Sequence, residues 1–138
     1  MKVPAKVRYG LQALVHLALS HGAGPVSVKE IAEQYGISEK FLEGVFSHLR
    51  AAGLVLSTKG KGGGYTLRRP PHRITLREVV TAFEPYVIFP LSHEADEGPD
   101  APIWADLEKH IQVWMEGRSL EELVGLVKRR RGILDYTI

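Results

Sequence analysis

Between Ser38 and Gly53 the chain spaces Lys40, Glu43, Gly44 and Ser47 three or four residues apart, with Leu42, Val45, Phe46 and Leu49 interleaved at the same interval. On a helix the two sets fall on opposite faces. The chemistry open to the polar face is the reading of base edges. Lys40 can donate to guanine acceptors, Glu43 can accept from a cytosine amino group, and Gly44 and Ser47 are small enough to permit close approach. Ser38 stands at the start of this helix, Phe41 on its flank and Arg50 in its last turn. A plain solvated helix face, with no partner, fits the same residues.

A second basic element favours the first reading. Lys59-Gly60-Lys61-Gly62-Gly63-Gly64 lies between Leu54-Val55-Leu56-Ser57-Thr58 and Tyr65-Thr66-Leu67-Arg68, two short strand-like runs, and so forms the tip of a hairpin. Lys59 and Lys61 on such a tip can reach a phosphate or the minor groove. Gly62 and Gly63 let backbone amides approach phosphate oxygens, and Tyr65 closes the segment. The run has neither the spacing of a nucleotide-phosphate loop nor the helix that should follow one. Lys6, Arg8 and Ser27 complete the candidate contact set, and Lys2, Lys29, Arg68, Arg69 and Arg73 add positive charge nearby in sequence.

The elements that must position these residues follow from periodicity and capping. Val7, Leu11, Leu14, Val15, Ala18 and Leu19 give a first amphipathic helix, stopped by Gly22 and Gly24-Pro25. Ser27-Val28-Lys29-Glu30 has capping-box form and opens a short helix that ends at Gly36; Ser38 then caps the third helix. Three helices followed by a two-stranded ribbon make a winged helix-turn-helix. Thr75-Leu76-Arg77-Glu78, a second capping box, opens a helix expected to run to Pro85. Residues 85–101 read as a flexible acidic loop. Residues 102–138 hold a long helix over about 102–116 and a last helix that Ser119-Leu120-Glu121-Glu122 would open with a third capping box. The expected fold is mainly α with a small β-hairpin: a winged helix-turn-helix domain over 1–84 and a long dimerisation helix.

Charge is divided unequally. Through Val80 there are 12 Lys and Arg against 5 Asp and Glu, net +7, and the remainder is net −5, so the overall +2 conceals a basic half suited to a polyanion. The chain has no cysteine. That excludes disulfides, thiol catalysis and thiolate-held zinc or iron–sulfur clusters. His16, His21, His48, His72, His93 and His110 show no metal-ligand spacing, and His93 with Glu94 and Asp96 reads as an acidic loop in solvent. No metal, cofactor or enzymatic activity is expected. No stretch is long and apolar enough to span a membrane, Gln12 and His16 interrupt the apolar run near the amino terminus, and a cytoplasmic location is expected. Ile103, Trp104, Leu107, Ile111, Trp114 and Met115 form one apolar stripe, which is either intramolecular core or the interface of a homodimer; the interface is favoured because the winged helix uses its own apolar groups.

The sequence resembles the Rrf2 family of bacterial winged-helix transcription regulators. The residues that carry the resemblance run from Lys6 to Leu14, from Ile31 to Glu43, from Leu49 to Val55, from Gly60 to Leu67 and from Ile74 to Val80, with looser matches at 104–107 and 119–124. It implies a homodimer whose fifth helices pack across a two-fold axis. It also implies base reading around Ser38, Lys40 and Glu43, with Lys59 in the minor groove. A two-fold dimer would present two recognition helices to a palindromic operator in double-stranded DNA, and a repressor is the expected regulator. Cluster-sensing members carry three cysteines between the fourth and fifth helices and a further ligand just before the fifth, where this chain has Ala101. The resemblance is therefore to a cluster-free branch, some members of which respond to a protein partner or another signal. A protein-interaction adaptor or an RNA-binding winged helix is the alternative.

Overall fold

A computed structural model of the chain describes residues 3–85 and 98–132. The first helix, α1 (Ala5–Leu19), runs through the centre. Val7, Gly10, Ala13, Leu14, Val15, His16 and Leu17 are all buried, a spread too wide for one stripe, because other elements pack around most of its circumference. Helices α2 (Val28–Tyr35) and α3 (Glu39–Ala51) follow, joined at Gly36, whose φ of 65° closes α2 in the left-handed conformation that glycine adopts without steric cost. Strands β1 (Val55–Thr58) and β2 (Gly64–Leu67) pair antiparallel, with Val55 opposite Leu67 and Thr58 opposite Gly64.

A 3-10 turn over Pro71–Arg73 leads into α4 (Leu76–Thr81). This helix stops four residues earlier than the Pro85 boundary expected from sequence. Phe83 and Glu84 both donate backbone N–H to the Val80 carbonyl in a tight final turn, and the Phe83 ring is buried instead against α1. Its edge comes within 2.7 Å of where a Cβ at Gly10 would stand, so any larger residue there would have to displace the ring. Helix α5 spans Ala101–Glu116 and α6 spans Leu120–Arg130. Ala101 is thus the first residue of α5 rather than the one before it. Most of the segment read as an acidic loop, including His93, Glu94, Asp96 and Glu97, lies outside the described residues, as does Lys2.

Only one of the three expected capping boxes is reciprocal. Thr75 accepts from the Glu78 backbone N–H while Glu78 accepts from the Thr75 N–H. At Ser27 and Ser119 the hydroxyl accepts as expected, but the glutamate three residues on is engaged elsewhere. Glu122 pairs with Arg118, and Glu30 turns to His16, whose Nε2–H donates to it over 3.2 Å while Nδ1 lies 3.3 Å from the Tyr35 hydroxyl. A buried imidazole needs partners more than a helix N-terminus open to water does.

Two further attachments join the C-terminal helices to the rest. Thr75 and Ser119 form a β-bridge, flanked by Leu76 N–H to Arg118 O and Leu120 N–H to Ile74 O. Arg77 on α4 ion-pairs with Glu116 and donates to Gln112, which in turn donates to the buried Glu108, all on α5. Arg69 pairs with Glu78 and also donates to the Arg73 carbonyl.

That Arg69 hydrogen bond, opposed by partial burial and assisted by Thr75, holds the Glu78 carboxyl below its usual range. A carboxyl lowered in the fold adds stability above its unfolded pKa and loses that contribution as pH falls through the folded value. Glu78→Gln keeps a capping-box acceptor and removes the charge. It should cost at most about 1 kcal/mol at neutral pH, given solvent screening. In thermal melts followed by circular dichroism, the gap to the parent should close as pH falls below about 4; a gap constant with pH contradicts this account.

Candidate nucleic-acid interface

Helix α3 is divided as its sequence requires. Leu42, Val45, Phe46 and Leu49 are buried in the core, and Lys40, Glu43, Gly44 and Ser47 are exposed. Nothing lies within 4 Å of a Cβ placed on Gly44, so the middle of this face is bare backbone open to approach. Ser38 caps the helix by accepting from the Phe41 N–H at 3.2 Å. Phe41 meets the Tyr9 ring edge-on at 5.5 Å, which fixes it against α1 and makes it a flanking support of the exposed face.

Five candidates converge on one cavity of about 480 Å³ between α1 and α3: Lys6, Ser38, Lys40, Phe41 and Gly44. Val45, His48 and Phe83 complete its wall, the rings of the last two stacked at 5.3 Å. His48 is further held by donating Nδ1–H to the Gly44 carbonyl. Neither His48 nor Phe83 belonged to the set drawn from sequence. An isolated histidine and a phenylalanine beyond a short helix carry no spacing signal that would join them to α3.

The hairpin carries Lys59 and Lys61 at an exposed tip, tightened by the hydrogen bond from Gly63 N–H to Gly60 O. Its glycines have a structural duty that sequence did not indicate. A Cβ at Gly63 would collide with the Thr58 carbonyl, and one at Gly64, where φ is 152°, with the backbone of Val26. The close approach at Gly64 admits a bridge in which Val26 and Tyr65 exchange both backbone hydrogen bonds, at 3.0 and 2.8 Å. Tyr65 also stacks its ring on Phe46 at 4.3 Å and 15°. Gly63 thus closes the hairpin turn against Thr58, while Gly64 and Tyr65 fix the root of the wing to α3 and to the lead into α2.

The remaining candidates are dispersed. Ser27 accepts from Glu30 N–H at the start of α2, and Arg8 and Arg50 are exposed on α1 and α3. Among the described residues, Arg8, Lys40, Glu43, Arg50, Lys59 and Lys61 enter no ion pair, whereas Lys6 is bound to Glu84 at 2.8 Å. Arg69, one of the supporting cations, is likewise engaged by Glu78.

The apolar stripe of α5 is split. Met115, at 4% exposure, belongs to the chain's own core, with Ile111 packed beside it, because these positions one turn apart face α1 and α4. Ile103, Trp104, Leu107 and Trp114 are exposed, as is Val113, which the stripe had omitted. Trp114 borders an apolar groove of about 240 Å³ with Leu11, Leu76 and Leu126, and Arg118 stacks over its ring at 4.7 Å.

No group of three His, Asp or Glu among the described residues is arranged to hold a metal ion. At the head of α5, Ala101 offers no ligand atom, and the Asp100 carboxylate accepts from Trp104 Nε1–H at 2.8 Å. With no cysteine in the chain, the residues present do not fit a thiolate-held iron–sulfur cluster. No described helix is long and apolar enough to cross a membrane.

Comparison with known proteins bears on the same region. Residues 3–125 match the Rrf2 family, described as "Iron-dependent Transcriptional regulator". The HTH-type transcriptional regulator CymR of Bacillus subtilis is 38% identical over 124 residues, 89% of each chain. IscR of Xenorhabdus nematophila is 39% identical over 130 residues, covering 90% of this chain and 79% of the relative. The solved structure of B. subtilis CymR, described as that organism's global cysteine regulator, superposes with a TM-score of 0.78 at 36% identity, over 91% of this chain and 98% of the other.

The wing anchor predicts unequal sensitivity among neighbouring glycines. Gly64→Ala should destabilise by about 2 to 3 kcal/mol, since a methyl group must be forced against backbone. Gly62→Ala, with a φ of 76° and open space around it, should cost about 1 kcal/mol. Urea titrations of the two variants test the ordering, and equal midpoints would refute it.

Proposed function

The chain belongs to the Rrf2 family of transcriptional regulators, and on that premise we propose that it binds a palindromic operator as a homodimer and represses transcription there without an iron–sulfur cluster. The observation that carries the proposal is the exposed outer face of α3, with Lys40, Glu43 and the bare backbone of Gly44 open to solvent, while the other side of the helix is locked into the core. A face of this kind suits the major groove, where a lysine and a carboxylate distinguish guanine and cytosine edges. Lys59 and Lys61 supply the phosphate or minor-groove contact of a wing.

The second copy is supported by α5. Ile103 is 66% exposed and Trp114 55%, and with Trp104 and Leu107 they form an apolar row beside the Leu11–Leu76–Leu126 groove. Such a surface is costly to leave in water, and a two-fold axis would let each copy cover the other while presenting two recognition helices to two half-sites.

Selection from a random DNA pool identifies the operator. On that DNA, Glu43→Ala should relax preference at one base pair per half-site, a loss of about 1 to 3 kcal/mol of discrimination, with little change in total affinity. Lys59→Ala and Lys61→Ala should each reduce the magnitude of the salt slope by about 0.9. A uniform loss of affinity for all sequences on removing Glu43, or unchanged slopes, would count against these assignments. Displacement of the DNA by competitor RNA would indicate an RNA-binding winged helix instead.

Dimerisation is tested separately. Because Ile103 contributes little to the core, Ile103→Asp should leave the fold intact and shift the sedimentation coefficient from dimer to monomer. Affinity for the two-half-site operator should fall more than about tenfold, consistent with loss of linked binding. An unchanged sedimentation profile would exclude this row from the interface.

A further inference from the structure

Among the described residues, Lys6 is the one candidate contact in the cavity between α1 and α3 whose charge is already taken. Its Nζ lies 2.8 Å from Glu84 Oε1. The pair is partly exposed, but the acidic partner is not free to drift. Phe83, its chain neighbour, is wedged between Gly10 of α1 and His48 of α3, and Glu84 N–H donates to the Val80 carbonyl at 2.9 Å. The backbone that carries the carboxylate is thus fixed to the helix that carries Lys6 and to the recognition helix together.

A carboxylate accepting from a lysine ammonium offers the same charge-assisted hydrogen bond as a phosphate oxygen. Lys40, across the same cavity, has no such partner among the described residues. We propose that Glu84 acts as an internal substitute for a DNA phosphate, withholding Lys6 from the nucleic acid and thereby setting the affinity of the protein below what its cations would otherwise give. This rests on the DNA-binding reading above and adds to it a residue, Glu84, that touches no base and acts through Lys6.

The same residue also borders the neighbouring apolar cavity of about 340 Å³, where Val3, just before α1, and Val7 of α1 face Ile111, Trp114 and Met115 of α5. Glu84 therefore stands between the nucleic-acid face and the side of α1 on which α5 packs. Whatever shifts its backbone there changes how firmly Lys6 is held.

The test uses the DNA sequence retained from a random pool by the full-length chain and measures affinity against salt for four proteins: the parent, Glu84→Gln, Lys6→Ala and the double variant. Glu84→Gln should bind about 3- to 10-fold more tightly at low salt, and its slope should steepen by about 0.9, the signature of one additional phosphate contact. Lys6→Ala should leave the parent slope nearly unchanged, and the gain from Glu84→Gln should disappear in the double variant. Matching melting curves for the parent and Glu84→Gln keep a folding defect from imitating either result. A gain that persists without Lys6 would show Glu84 acting only as a repelling charge and would overturn the proposal. So would an unaltered slope in Glu84→Gln. Failure of the parent to retain any DNA would instead defeat the DNA-binding reading itself, and this inference with it.

Discussion

The fold depends on burying α1 around most of its circumference. A helix in that position cannot shift without disturbing α3 on one side, β2 on another, and α4 and α6 on the rest. Interiors pack at the density of organic crystals, so displacements in such an arrangement are transmitted rather than absorbed. The buried polar side chain of α1 itself is provided with partners. His16 is accommodated by Glu30 and Tyr35, both on α2, which makes the imidazole a fastening between the first two helices. The wing is held by an independent route through Tyr65, stacked on Phe46 and paired with Val26, so α3 and the hairpin share one rigid frame.

Electrostatics follow a division of labour that whole-chain sums conceal. Among the described residues, cations on the outer face of α3 and at the hairpin tip enter no ion pair, while Arg69, Arg77 and Arg118 are consumed by carboxylates that join α4, α5 and α6 to their neighbours. Side chains of one type therefore serve two purposes according to what the fold places within reach. Exposed pairs add little to stability one at a time, and those spanning different elements gain significance from what they orient.

Much of this was legible from sequence, for identifiable reasons. The α3 face was readable because helical periodicity alone sorts Leu42 and Phe46 from Lys40 and Glu43, and the hairpin because glycine and lysine interrupt two β-prone runs. What escaped depends on long-range approach. That Glu30 would serve His16 rather than its own helix cap, that Gly64 would lie against Val26, and that Phe83 would fill the space beside Gly10 are facts of tertiary proximity with no local spacing to announce them. The α5 stripe illustrates an intermediate case. Its apolar residues were visible, but they span too wide an arc for periodicity to say that Met115 turns inward while Trp114 turns out.

The open space above Gly44 has one more implication. A glycine inside a helix costs about 0.5 to 1 kcal/mol relative to alanine, and here no neighbouring atom obliges the chain to keep it. Since Lys40, Glu43 and Ser47 are exposed as well, the four outer positions of α3 form a surface whose composition the packing of the core does not dictate. On the proposed reading, changing this face alone would re-address the scaffold to a different target sequence, with the core, the wing anchor and the C-terminal helices left as they are.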